Sequence, residues 1–147
     1  PSSAASDVYK RQIDNMPGIT VLMYHGYSFT SIIDEIAPIR KYGAKEPQHI
    51  LREILRKRHL APVYGSIIQA AADQDMLVID KVPDIFHTGD LHSHCVENYK
   101  GVTFISSSTF QAQTSFMDRI GHVANPGKIT LVHLDTREIE VLDFYGG

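Results

Sequence analysis

The spacing of apolar residues changes along the chain, and the changes mark the elements. Ile19 to Met23 is a short, partly β-branched apolar run behind Pro17-Gly18, which predicts a buried strand. It ends at Tyr24-His25-Gly26, where a glycine permits a sharp turn. From Ser28 to Ile39 the apolar positions Phe29, Ile32, Ile33 and Ile36 recur at helical spacing. Ser28 is the candidate N-cap, and Pro38 and Gly43 mark the stop. Pro47 to Leu60 predicts a second helix, with Pro47 in its first turn and Ile50, Leu51, Ile54 and Leu55 on one face. Its basic end, Arg56 to His59, complements the negative end of the helix dipole. Thereafter strands dominate: Met76–Ile79, Ile85–Phe86, Val102–Ile105, Ile129–Leu134 and Ile139–Leu142, the last two joined by a turn at Asp135-Thr136-Arg137. Helices before strands, without an internal repeat, predict an α/β protein with a mixed sheet.

Composition narrows the picture without deciding it. The 147 residues suffice for one modest domain, and 43% hydrophobic with 21% charged residues is ordinary for a globular chain. No apolar run approaches the ~20 residues of a membrane helix, and the first residues lack the apolar stretch of a signal peptide. Cys95 stands alone, which excludes an intrachain disulfide and fits a reducing cytoplasm. A net charge of −3 gives no overall electrostatic case for nucleic acid, so any such contact must come from a local patch or from metal ions. Eight histidines is a high count for this length and directs attention to metal chemistry.

Three segments carry candidate chemistry. His25 directly follows a strand, where α/β folds place ligands. Phe86 to His94 runs from a strand into a turn holding His87, Asp90, His92 and His94. In an extended segment residues two apart share a face, so Asp90, His92 and His94 are expected to point together. Imidazole and carboxylate suit manganese, zinc or iron. The third is the polar run Ser106 to Thr114 behind a strand. Each has a plainer reading. A histidine after a strand often serves as a cap, a serine run is often only a loop, and a basic helix end is often only solvated. His49, His59, His122 and His133 read as surface or hydrogen-bonded histidines.

Context favours the chemical reading. Gly89-Asp90-Leu91-His92 resembles the Gly-His-x-His motif of calcineurin-like phosphoesterases. Around it, Val82 to Gly89, Tyr24-His25-Gly26, Arg56 to Gly65, Glu97 to Thr103, Ser108 to Thr114 and Pro126-Gly127-Lys128 are similar to the small, exonuclease subunit of archaeal family-D DNA polymerases. The resemblance covers Ile19 to Phe144, and the segments Arg56 to Pro62 and Phe110 to Thr114 are its most specific parts. It implies a metallophosphoesterase β-sandwich flanked by helices. It implies two divalent metal ions, manganese in the usual case, that activate water for 3′ to 5′ phosphodiester hydrolysis. His25 and Asp90 take the positions of ligands to the second metal and His92 that of a ligand to the first. The implied partners are the large catalytic subunit, the primer 3′ end of DNA and a sliding clamp. Arg56, Lys57 and Arg58 are candidate contacts to DNA or a partner.

Two departures from the family pattern bear on function. Asp90 replaces a histidine, and the upstream Asp-x-His, Gly-Asp-x-x-Asp and Gly-Asn-His segments do not occur after Ile13. Three ligands cannot hold two ions, so the chain by itself is expected to be inactive. The rival expectation is a non-catalytic scaffold like the B-subunits of eukaryotic replicative polymerases. Ser2 to Gln12 resembles a translated sequencing-library adapter, so residues 1–12 are expected to be a non-native tail that packs against nothing. Native sequence then starts near Ile13, with the N-terminal part of the fold missing.

Overall fold

The computed structural model describes residues 11–16, 18–68, 73–119 and 123–145. Among these residues seven strands and four short α-helices follow one another as β1 (Arg11–Met16), β2 (Ile19–Tyr24), α1 (Phe29–Glu35), α2 (Ala37–Arg40), α3 (Pro47–Lys57), β3 (Ile85–Thr88), β4 (Cys95–Tyr99), β5 (Val102–Ser106), α4 (Ser115–Arg119), β6 (Lys128–Val132) and β7 (Ile139–Asp143). A mixed sheet has the order β1-β2-β3-β5-β4, and β6 and β7 form a separate hairpin. The three central strands β2, β3 and β5 run parallel, while β1 and β4 are antiparallel edges. This bears out the α/β class.

The sheet buries its two faces unequally. Leu22, Tyr24, Phe86 and Phe104 point to the helices, where Phe29, Ile32, Ile50, Leu51, Ile54 and Leu60 complete the core. In α3 the buried Ile50, Leu51 and Ile54 recur at helical spacing, which seats one side of the helix on the sheet. Val21, Ile85, His87 and Ile105 point the other way, into a groove of about 480 Å³ beneath the β6–β7 hairpin. That hairpin is fastened to the sheet side by Arg137, which donates to Asp84 at 2.9 Å, and by His94 against Thr130 at 2.8 Å.

Several elements differ from the sequence expectation, each for a local reason. The single helix expected over 28–39 breaks at Ile36 into α1 and α2. Pro38 lacks an N–H and its ring would strike the carbonyl four residues earlier, that of Asp34. Arg40 donates to that carbonyl instead. Ser28 does not cap α1 with its side chain; its hydroxyl is buried and donates to the Leu60 carbonyl. Met76–Ile79 is no strand, because Asp75 turns the chain by accepting from the Leu77 N–H, and only Val78 makes a bridge, with His59. Strand β4 was not expected at all.

Residues 1–10 of the expected tail lie outside the described residues, as does His122. Arg11 and Gln12, also assigned to that tail, instead pair with Met23 and Leu22 of β2. Pairing of this kind uses backbone groups, which every residue but proline can offer, so it extends the sheet past the expected boundary at Ile13 whatever the side chains are.

Candidate functional site

Parallel strands end at the same edge of a sheet, and here that edge gathers the candidate residues. Tyr24, Thr88 and Ser106 are register partners at the ends of β2, β3 and β5. The residues that follow, His25, Gly89 and Ser107, therefore start three adjacent loops. The backbone stitches them together: the Gly89 N–H donates to the His25 carbonyl at 3.1 Å, and the Ser107 N–H to that of Thr88 at 2.9 Å.

Two of the three expected metal ligands meet. His25 Nε2 stands 3.7 Å from Asp90 Oδ1, although the residues belong to different loops, and both side chains are partly open to solvent. Gly26 makes this approach possible. Its φ is +126°, and a Cβ there would come within 2.7 Å of the Phe29 ring and 2.8 Å of the Asp90 Cβ. Tyr27 packs edge-on to the His25 ring, with centroids 4.7 Å apart.

The expectation that Asp90, His92 and His94 share a face is not met. The segment is not extended: Asp90 has φ +69° and His92 +53°, both in the left-handed region. Aspartate and histidine are among the residues that tolerate it better than most, and the two turns rotate successive side chains apart. His94 leaves the cluster for Thr130 of β6. Among the described residues no three histidine, cysteine, aspartate or glutamate side chains converge as a metal-binding group. His92 therefore sits on the same loop as Asp90 without completing a triad with it and His25.

The donor chemistry of the pair nevertheless suits a divalent ion. Ligands lie about 2.0–2.2 Å from a shared zinc ion, and two donors at 3.7 Å need little movement to reach one cation. An imidazole with a carboxylate is also a set that manganese accepts.

Sequence reasoning missed a second pair at the same edge. His87 Nε2 lies 2.5 Å from Ser107 Oγ. Burial holds the His87 pKa below its ordinary value, so the ring is neutral near pH 7. Both residues belonged to segments already singled out, but nothing in their spacing showed that β3 and β5 are neighbours. A cleft of about 370 Å³ connects this pair to His25, lined by Met23, Tyr24, Thr88 and Gly89 as well. The Tyr24 hydroxyl accepts from the Ser28 N–H at 3.0 Å, and burial raises its pKa.

The basic helix end divides on inspection. Arg58 caps α3 in the left-handed conformation and donates to the carbonyls of Ile79 and Asp80. Arg56 is held by both carboxylate oxygens of Glu53. Lys57 lines an open cleft of about 610 Å³ together with His59, Tyr64 and Asp75. No described helix is long and apolar enough to cross a membrane.

No family model matches the chain. Individual proteins do. The chain is 41% identical over 133 residues to the DNA polymerase II small subunit of Archaeoglobus fulgidus, covering 90% of this chain and 26% of that protein. The protein of the same name from Thermoplasma acidophilum is 41% identical over 132 residues, 88% of this chain and 26% of its own length. That of Pyrococcus furiosus is 34% identical over 131 residues, 88% and 21%. The chain thus spans about a quarter of the length of the curated relatives it matches.

Proposed function

From its homology with the archaeal DNA polymerase II small subunits, we propose that this chain is the part of such a subunit that supplies one side of a metal-dependent phosphodiesterase site. The fold reading that goes with it is the calcineurin-like metallophosphoesterase sandwich. The observation that carries the proposal is the approach of His25 and Asp90 at the C-terminal edge of the parallel strands. Ligand sites of open α/β sheets lie at that edge.

In this reading His25 and Asp90 hold one divalent ion, manganese being the choice, and His92 reaches a second ion when the remaining ligands are supplied by sequence outside this chain. The ions would polarise the scissile phosphate and lower the pKa of a bound water. The chain's own residues do simpler things. Asp90 brings a carboxylate oxygen beside the His25 imidazole, and Gly26 keeps the two loops close enough for both donors to serve one ion. The substrate is the 3′ end of a DNA primer, and the large polymerase subunit is the partner. Lys57, on the open cleft, is the residue of this helix end best placed to meet DNA or that partner, whereas Arg56 is paired with Glu53 and Arg58 is engaged in structure.

The scaffold reading draws on a specific observation too, since among the described residues only two of the expected donors converge and one of them replaces the family's histidine. Metal binding separates the two. Titrating the chain with Mn²⁺ and following the imidazole C–H signals should broaden His25 before the distant His49 and His133, reversibly with chelator. Asp90→Asn should weaken the effect without unfolding the chain, because asparagine also tolerates the left-handed conformation. Equal broadening of every exposed histidine would favour the scaffold.

A further inference from the structure

The His87–Ser107 pair is left unused by the metal-site reading, yet it opens onto the same space. It closes the far end of the 370 Å³ cleft whose near end is His25. That volume falls at the lower end of the ~300–1,000 Å³ typical of small-molecule clefts, which suits one nucleotide unit and not a duplex. Met23, the register partner of His87, gives the cleft an apolar wall. Its polar end is uncharged, because partly buried His87 is neutral and Ser107 is a hydroxyl. A neutral end does not favour a second phosphate. A serine hydroxyl has one donor and two acceptor sites, so after bonding His87 it retains the capacity to pair with another hydroxyl.

Accepting the phosphodiesterase reading as its premise, we propose that this cleft is the subsite for the terminal nucleoside, with the apolar wall against its base and sugar and the His87–Ser107 pair at a sugar hydroxyl. Ser107 is then the residue that contacts the sugar, and His87 a positioning residue that fixes the Ser107 hydroxyl from β3. This places the phosphate end of a nucleotide toward His25 and Asp90 and the uncharged end toward β5.

The test uses the 147-residue chain and three probes: thymidine, thymidine 5′-monophosphate and inorganic phosphate. Proton–carbon spectra report the His25 and His87 rings and the Thr88 methyl group. Thymidine alone should shift His87 and Thr88, the monophosphate should shift these together with His25, and inorganic phosphate should leave His87 unmoved. Ser107→Ala should weaken thymidine binding about 5-fold, the effect of one lost neutral hydrogen bond, while Ser107→Thr, which keeps a hydroxyl, should bind nearly as wild type. The His87→Gln variant, which keeps a polar group beside Ser107, should fall between them. Thymidine that leaves His87 and Thr88 unmoved at millimolar concentration overturns the subsite, as does Ser107→Ala binding like wild type. A failure of Mn²⁺ to broaden His25 tells against the metal site instead, so the two failures are distinguishable.

Discussion

Two glycines stand beside the candidate pair, and only one of them is required to be glycine. At Gly26 the backbone is left-handed and an added Cβ would collide with the fully buried Phe29 ring, which has no room to yield. Gly26→Ala should therefore cost about 1–3 kcal/mol, as overpacking and backbone strain do. At Gly89 a Cβ would meet His25 atoms at 3.6 and 3.7 Å, ordinary contact, and Gly89→Ala should unfold at nearly the wild-type temperature. Thermal denaturation of both variants checks the contrast. His87 supplies a pH-dependent term at the same scale. Burial depresses its folded-state pKa below the ordinary ~6.5, so protonation costs more in the folded chain than in the unfolded one. Its contribution is whole above the unfolded value and is lost as pH falls toward the folded value. Urea midpoints at pH 8 and pH 5 should drop further for wild type than for His87→Gln.

At the scale of elements, what was legible in the sequence followed a simple physical rule. Strands β2, β3 and β5 are short, apolar and central, buried on the helix face, and their residues announce them. Strand β4 carries Glu97 and Asn98 and lies at the sheet edge, so its polarity hid it. Helix α3 was legible from its apolar spacing, but the role of its basic end was not. Sequence proximity suggested that Arg56, Lys57 and Arg58 act alike, whereas the left-handed turn at Arg58 sends that side chain back to the carbonyls of Ile79 and Asp80. Arg58→Ala should accordingly lower stability by about 1.5–3 kcal/mol, the range for hydrogen bonds to charged groups. Lys57→Ala should leave the denaturation midpoint unchanged. The site divides along the same line. His25 and Asp90 were found because each closely follows a strand, while the pairing of His87 with Ser107 depended on strand order, which spacing does not encode.

Across the whole molecule the two faces of the sheet are finished differently. Helices seal one, but the hairpin only partly covers the other. Leu131 and Val141 on β6 and β7, with Phe110, Phe144 and Tyr145, remain exposed, and Phe110 lines the open groove. Exposed apolar surface of this kind marks an interaction face or an aggregation liability. Sedimentation of the isolated chain should reveal concentration-dependent association, weakened by Val141→Glu together with Phe144→Ser. A monomer at all concentrations would mean that the hairpin needs no cover. The central claim concerns the strand-end edge where His25 meets Asp90. It is tested most directly in a full-length subunit carrying this segment, by nucleotide release from a 3′-mismatched primer in manganese. The account predicts chelator-sensitive release by wild type, loss of most of it in Asp90→Asn and its retention in Asp90→His. An inactive wild type with every upstream ligand in place, or an Asp90→Asn variant as active as wild type, would contradict it.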